Sequence, residues 1–492
     1  MKNKTQDVVI PIEQIIFQRK QKVKNFLDIG INPYPSKCYI KKNNKIIQEE
    51  FLPLGPGEYS NSKIKIAGRV ITYRNMGKSA FLDINDGYEK IQIYVRLDKI
   101  GKEQYIFFKN MVDLSDIISV YGIPFRTKTG ELTIMVEKWY MLTKSLRPLP
   151  EKWHGIKNIE IRYRQRYLDL LTNKYVKNVF IKRGLIISSI RRKLEELGFV
   201  EVETPVLQSI AGGANAKPFI THHDNLGIDL YLRIAPELFL KRLIVGGMNK
   251  IFEIGKNFRN EGIDKNHNPE FTMLELYQTY ADYHDMMDIT EILIKTAAEK
   301  VGCTINLNFK REKMFDLLKK YTGIDLLPYI ESNDMLKYVK QNLKGVNFPE
   351  DITAKKVLDK LFDEMVLPNL KNPTFVIDYP SIYSPLSKVK FDQPEIAERF
   401  ELYMNGMEIG NAYSELNDPE LQKEKFVQQS KLKMKKEQSD HEISYDEDFI
   451  FALEQGLPPT GGLGIGIDRL VMVLLGINSI REVITFPSMK PE

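Results

Sequence analysis

The chain has 492 residues, 43% of them hydrophobic and 28% charged, with a formal net charge of +6, and its length alone suggests roughly three compact units. No apolar run approaches the ~18 residues of a membrane span, and the lead from Met1 to Gln14 mixes charge with apolar residues, so neither a membrane helix nor a secretory signal is expected. Two distant cysteines, Cys38 and Cys303, exclude a disulfide framework and suit a reducing cytoplasm, while the modest basic excess fits a polyanion partner no better than it fits solvated lysine and glutamate helix faces.

A polar, lysine-rich lead occupies residues 1–60, with Pro33, Pro35 and a break at 53–57. Five short alternating segments follow, at 64–70, 80–84, 91–95, 117–122 and 132–136, with a helical piece at 103–111 between the third and fourth. That order predicts a small closed barrel of OB-fold type over 61–145, a fold that often binds single-stranded nucleic acid on one face. Pro148, Pro150 and Trp153-His154-Gly155 predict a linker over 146–175. From 176 to 492 the pattern is that of one large α+β domain: a helix over 176–197 closed by Gly198, then antiparallel strands interrupted by a helical insertion at about 285–395. A later helix, 421–438, carries Lys433, Met434, Lys435 and Lys436, read as a solvated face.

Two stretches carry the chemistry. In Asn257-Phe258-Arg259-Asn260-Glu261-Gly262, Arg259 and Glu261 are two apart and share one face of an extended strand. In Gly464-Ile465-Gly466-Ile467-Asp468-Arg469, an arginine follows glycines that let a nucleotide approach the backbone. Attack on the α-phosphate of ATP needs one fixed cation there and another on the departing pyrophosphate, and arginine's planar fork suits both. Glu237, Glu275 and Glu415 stand in segments that these stretches place around the same cleft, with Arg233, Lys241 and Arg242 as the nearby neutralising candidates. A pocket that keeps several carboxylates favours a cationic substrate and rejects an acidic one. Alternation groups Phe271, Met273, Glu275 and Tyr277 on one strand face and Leu274 and Leu276 on the other. It likewise groups Asn411, Tyr413 and Glu415, and Glu408 joins them only through a bulge or strong twist at Gly410. His222-His223 has no further ligand at zinc spacing.

Together the two stretches resemble motifs 2 and 3 of the class II aminoacyl-tRNA synthetases. Residues 176–205 resemble motif 1, which in that class forms the dimer interface. The segments 233–238, 267–277 and 408–417 are similar to the lysine-specific branch. The resemblance implies ATP-dependent activation of L-lysine to lysyl-adenylate, transfer to tRNA(Lys), a homodimer in the cytoplasm, ATP as co-substrate and Mg²⁺ as cofactor. It implies that Arg259, Glu261, His267, Phe271 and Arg469 bind ATP, with Arg259, Glu261 and Arg469 catalytic. Gly213, Glu237, Glu275, Tyr277, Asn411, Tyr413 and Glu415 would bind lysine, Glu401 and Glu408 would hold the metal, and Phe81, Gln92 and Glu131 would read the anticodon. Two other readings stay open: a catalytically silent tRNA-binding relative, and a lysine ligase that modifies a protein, whose known examples lack the barrel.

Overall fold

The structure, a computed structural model, describes residues 11–149, 156–214, 216–330, 332, 334–343, 348–349, 352–437 and 445–491. Pro150, Trp153, His154 and Gly155 of the expected linker lie outside this set. The chain divides into two units, Met1–Ile156 and Lys157–Glu492.

In the first unit, β1 (Ile64–Asn75), β2 (Ser79–Asn85), β3 (Lys90–Arg96), β4 (Ile117–Arg126) and β5 (Leu132–Thr143) close into a barrel in the order β1-β2-β3-β5-β4. Period-two alternation fills its interior: Leu82, Ile84, Ile91, Ile93, Val95, Ile134 and Val136 are buried, which leaves Phe81, Gln92 and Tyr94 on the outer side of the same strands. The lead segment is structured where described. It contains α1 (Ile12–Asp28) and α2 (Asn44–Glu50), the latter capped by the Asn43 side chain on the Ile46 N–H, a cap of the kind worth about 1 kcal/mol. Between the third and fourth strands come α3 (Leu97–Ile100) and α4 (Lys102–Met111), which buries Tyr105, Phe108 and Met111 at helical spacing against the barrel.

The second unit begins with α5 (Ile159–Arg164) and α6 (Arg166–Thr172), where a linker was expected. They belong to its body: Arg166, fully buried, pairs with Asp169 at 2.9 Å and donates to the Thr485 and Arg481 carbonyls. The long α7 (Lys174–Glu196) leads to β6 (Val200–Glu201) and to a small sheet of β7 (Leu207–Gln208), β8 (Ile220–His223) and β9 (Ile228–Leu232). Then come α8 (Glu237–Val245), β10 (Lys250–Phe258), β11 (Glu270–Thr279) and α9 (Tyr283–Val301), whose N-terminus carries a capping box from Asp282 and Asp285.

The span expected as a helical insertion does contain α10 (Met314–Thr322), α11 (Met335–Asn342) and α12 (Ala354–Leu361), but also two strands, β12 (Lys310–Lys313) and β13 (Thr374–Pro380). The first is an all-charged edge strand, Lys-Arg-Glu-Lys, and gives no apolar alternation to read. The chain closes with β14 (Ile396–Met404), β15 (Met407–Ser414), α13 (Pro419–Glu437), α14 (Glu447–Glu454), β16 (Thr460–Gly466), α15 (Ile467–Leu475) and α16 (Ile480–Val483). Lys433, Met434, Lys435 and Lys436 lie in α13, with side chains outside the described set.

Eight strands form one sheet in the order β12-β13-β14-β15-β16-β11-β10-β6, antiparallel except at its two edges, where β12 joins β13 and β6 joins β10 in parallel. One sheet face is the core, where Leu274, Leu276, Leu463 and Ile465 pack with residues of α7, α9 and α15. On the other face, Val376, Tyr379, Ile396 and Tyr403 of β13 and β14 pack against α10, α11 and α12, and polar residues stand over β11, β15 and β16. Every second residue of β11, β15 and β16 is thereby delivered to one cleft.

Candidate active site

The cleft has a volume of about 590 Å³. From β11 it takes Phe271, Met273, Glu275 and Tyr277, while Leu274 and Leu276 are fully buried behind them, as the alternation predicts. From β15 it takes Asn411, Tyr413 and Glu415, and also Glu408. The bulge that Glu408 requires is present: Leu402 pairs with Gly410 but Tyr403 pairs with Glu408, so Ile409 is the extra residue and turns Glu408 to the cleft side.

Arg259 and Glu261 also line the cleft, by a different route from the one expected. β10 ends at Phe258, and both residues lie in the loop beyond, where the Glu261 N–H donates to the Arg259 carbonyl at 2.8 Å. Strand alternation does not align them. The Arg259 guanidinium lies 5.1 Å from the centre of the Phe271 ring, a cation–π contact, so one face of the ring expected to stack on adenine is covered by arginine. Its Nε is buried with no hydrogen-bond partner. Burial pulls the guanidinium below its usual range, and Glu261, Glu275 and Glu408 restore part of that loss. A partly buried guanidinium whose Nε has no partner fits an anion.

Arg469, just after the β16 glycines, donates to the Glu408 carbonyl at 3.0 Å and meets the Glu408 carboxylate at 3.4 Å. Its Nη2 lies 2.8 Å from His267 Nε2. Arginine has no acceptor, so that nitrogen must accept, and the ring proton sits on Nδ1, which bonds Asp264 at 2.9 Å. Asp468, one residue earlier, is buried and accepts from Arg183 of α7 at 2.5 Å and from the Thr272 N–H at 2.7 Å.

Glu401 is not in the cleft lining. Its oxygens are taken by Arg399, by Tyr379 at 3.0 Å and by Tyr403 at 2.5 Å. It is still close enough to act on Glu408, whose carboxyl is pushed up by burial and then by Glu401, with Arg469 and Arg399 pulling the other way. Two crowded carboxylates beside Arg399 and Arg469 have the hard-oxygen chemistry of a Mg²⁺ site, so the pair fits that ion, although Glu401 would have to exchange a present partner for it. Among the described residues no cluster of three or more His, Cys, Asp or Glu has metal-site geometry. Arg399 was not singled out in the sequence. It is buried and also donates to Asn411 Oδ1 at 3.2 Å and Ser384 Oγ at 2.6 Å.

The deep end of the cleft holds Glu237, Glu275, Glu415, Tyr277 and Tyr413, all but the last buried. α8 presents Glu237, Leu238, Lys241 and Ile244 on its buried side. Of the three candidate neutralising cations only Lys241 enters: Arg233 is paired with Glu253 and bonded to Thr204, and Arg242 is paired with Asp446 and Asp448. Lys241 Nζ donates to Glu237 Oε1 at 2.6 Å and forms an ion pair with Glu415 Oε2. Tyr413 donates its hydroxyl to the same Glu237 oxygen at 2.7 Å. Burial pushes the Glu275 carboxyl up to about 8, with Glu237 adding to the effect and Arg259 opposing it.

Two glycines make the room. A Cβ on Gly462 would lie 1.9 Å from Glu415 Oε1 and 2.6 Å from the Tyr277 ring. At Gly213, φ is +83°, and a Cβ would come 3.1 Å from that of Glu237, so only glycine brings that backbone against the carboxylate. The β16 glycine run thus serves side chains at Gly462 as well as any nucleotide further on.

On the barrel, Phe81 stacks on Tyr94 with ring centres 4.1 Å apart and planes 9° apart. Gln92 and Glu131 share a groove of about 650 Å³, which Phe81 does not line. Gln92 is nearly buried and accepts from Thr133 at 3.0 Å, while Glu131 is exposed.

Comparison with known families agrees with both units. The family model described as tRNA synthetases class II (D, K and N) matches residues 158–490, and the one described as an OB-fold nucleic acid binding domain matches residues 64–142. Among curated proteins, the chain is 47% identical to the lysine–tRNA ligase of Pelotomaculum thermopropionicum, over 98% of this chain and 96% of that one. It is 48% identical to the lysine–tRNA ligase of Carboxydothermus hydrogenoformans, over 98% and 99%, and 50% identical to that of Aquifex aeolicus, over 87% and 73%. No helix among the described residues is long and apolar enough to cross a membrane.

Proposed function

Because the chain belongs to the class II tRNA synthetases, within the lysine–tRNA ligases, we infer that its cleft joins ATP and L-lysine as lysyl-adenylate and passes the lysyl group to tRNA(Lys). Lysine's carboxylate attacks the α-phosphorus, the bond to the β-phosphate oxygen breaks, and pyrophosphate leaves with that electron pair. The nucleophile is already an anion, so positioning and charge stabilisation carry the step without a general base. A terminal ribose hydroxyl of the tRNA then attacks the acyl carbon, and AMP departs.

Arg259 takes the α-phosphate and the lysine carboxylate, helped by Asn411. Arg469 and His267 take the outer phosphates. Adenine stacks on Phe271, with Glu261 beside it, and so displaces or sandwiches the Arg259 contact now on that ring. Glu408 and Glu401 would hold Mg²⁺, which when bound neutralises phosphate charge. Glu237 with the Gly213 backbone meets the α-ammonium; Glu415, with Glu275, Tyr277 and Tyr413, meets the ε-ammonium. The observation that carries this reading is the polarity of one cleft: Arg259, whose Nε has no partner, and Arg469 toward one end, and carboxylates at its buried end. ATP–pyrophosphate exchange measured with each proteinogenic amino acid tests it. Lysine alone should support rapid exchange, and a silent tRNA-binding protein would support none.

We assign the barrel to the tRNA anticodon, through Phe81, Gln92 and Glu131. Phe81→Ala should weaken tRNA(Lys) binding by about 1–3 kcal/mol and leave lysine-dependent exchange unchanged; equal tRNA affinity would remove Phe81 from the interface. We also propose a homodimer through α7 and β6, on which Ile181 and Val200 are more than half exposed. Sedimentation at micromolar concentration would give a monomer if that face is unpartnered. A cytoplasmic setting follows from the tRNA substrate.

A further inference from the structure

The buried end of the cleft contains a lysine of the chain's own. Lys241 follows Glu237 by one helical turn, the order in which a glutamate–lysine pair is favoured on a helix, yet it is fully buried. Its ammonium meets Glu237 Oε1 and Glu415 Oε2, and the rings of Tyr413 and Tyr277 stand 5.6 and 6.0 Å away. Each glutamate therefore gives Lys241 one oxygen. Neither Glu415 oxygen has a hydrogen-bond partner; Oε2 is ion-paired with Lys241, whereas Oε1 is buried against Gly462.

We propose that Lys241 is a specificity-determining positioning residue: its fixed ammonium binds one oxygen each of Glu237 and Glu415, holds the two carboxylates in place in the empty site, and leaves Glu415 Oε1 as the acceptor for a single further ammonium, that of the amino-acid side chain. This rests on the reading of the deep end as the lysine site. Burial pushes the Glu415 carboxyl well above its ordinary range, with Glu237 and Glu275 adding to the effect, and Lys241 offsets only part of that rise. The groups facing it from the surrounding elements are Glu237 on α8, Glu275 and Tyr277 on β11, and Tyr413 on β15. None of these supplies a second cation. Without Lys241, three carboxylates would share one dry pocket, and such a group takes up protons rather than stay fully charged. The incoming ammonium would then have to displace those protons, and a neutral isostere would no longer leave a bare charge behind it.

The test is exchange kinetics of Lys241→Met and Lys241→Arg against the parent enzyme, with lysine, norleucine and ATP varied in turn. For Lys241→Met the KM for lysine at neutral pH should rise by roughly tenfold or more, because one partner of a buried ion network is gone. That excess should shrink as pH rises and the carboxylates ionise, and the preference for lysine over norleucine should fall. The KM for ATP should stay within about twofold, since uniform loss of packing would move both substrates together. Lys241→Arg, which keeps the charge, should lie nearer the parent. An unchanged lysine KM, or a pH-independent rise shared with ATP, would overturn the proposal. If the Met variant does not fold, Lys241→Gln, which removes the charge but keeps a hydrogen-bonding group, takes its place, and a lysine KM and a norleucine discrimination equal to the parent's would refute the role. Parent enzyme that fails to exchange with lysine at all would instead defeat the underlying assignment.

Discussion

Two fully buried lysines, one in each unit, sit between pairs of carboxylates. Lys144, at the end of the barrel, donates to the Met111 carbonyl at 2.7 Å, to Asp113 at 2.5 Å and to Asp116 at 2.6 Å. All three of its protons are used. Its partners are closed as well: Asp116 accepts from the backbone N–H groups of Asp113 and Ser145, and Asp113 is also held by Lys22. Lys241 has two carboxylates and two aromatic rings, and one of its carboxylates keeps a buried oxygen without a partner. Arg259 shows the same incompleteness at the other end of that cleft. A buried polar cluster whose bonds are all made is a fixture of the fold, whereas one that leaves donors or acceptors unused at a cleft marks where a ligand completes it.

The largest effect expected from this contrast is on stability, at the closed cluster. Lys144→Met leaves Asp113 and Asp116 without their shared cation and should cost about 3–5 kcal/mol, read as a lower denaturation midpoint of the barrel unit, with the KM for lysine in ATP–pyrophosphate exchange unchanged. A change in lysine KM without loss of stability would erase the distinction between the two lysines. Next comes the open cluster at the cleft mouth. Arg259→Ala and Arg469→Ala should each lower exchange by about 10²–10³ or more, with circular dichroism and melting temperature preserved. Near-normal exchange by either variant would mean that its guanidinium does not meet the phosphates.

The contrast also explains what the sequence disclosed. Leu274 and Leu276 alternate with Phe271, Met273, Glu275 and Tyr277 in plain view, because a strand with one apolar face has a period of two. The need for a bulge next to Gly410 was legible for the same reason: Glu408 was out of phase with Asn411, Tyr413 and Glu415. Arg259 and Glu261 reach the cleft from a loop, where alternation carries no information. Glu401 is paired with Glu408 by resemblance; its partners Arg399 and Tyr403 lie two positions to either side of it on β14, a period-two signal the sequence does carry, whereas Tyr379 comes from β13 across the sheet. Lys241 stands in the sequence as one of three candidate neutralising cations, with nothing to single it out from Arg233 and Arg242. A glutamate and a lysine one turn apart are the ordinary pattern of a solvated helix face, and only the tertiary packing of α8 against β11 and β15 turns that pair inward.

A smaller effect concerns the far wall of the open cluster. Ornithine keeps the ammonium that Glu415 Oε1 awaits but is shorter than lysine by one methylene, a difference worth only about 1–3 kcal/mol in a site of this kind. It should therefore be activated slowly but measurably, while norleucine, which leaves the buried carboxylate bare, should not. With Glu415→Gln the discrimination against norleucine should weaken and the lysine KM should rise more than the ATP KM. If the Gln variant kept its full preference for lysine over norleucine, the ammonium would have to be read by Glu275 instead.

The smallest effect is a pH dependence, and its sign follows from Glu275. Its carboxyl is raised from the ordinary 4.5 to about 8, so at neutral pH the empty folded enzyme holds a proton there that the unfolded chain has already lost. That group's contribution to folding is fully present below the ordinary carboxylate range and is lost as pH rises through about 8. Binding runs the other way. An ammonium beside Glu275 favours its ionised form, so lysine expels the proton and binds more tightly as pH increases, by at most about tenfold per pH unit for one proton, levelling off near the raised value. ATP, bound at the mouth, has a titrating neighbour of its own in Glu408, so the Glu275 effect is the part of the lysine profile that substitution of Glu275 removes. Glu275→Gln removes the titrating group and should flatten the lysine profile while leaving ATP as it was. A lysine KM that is already flat between neutral pH and about 8 in the parent enzyme would mean that the substrate's ammonium does not sense Glu275, and the buried end of the cleft would then be read by Glu237 and Glu415 alone.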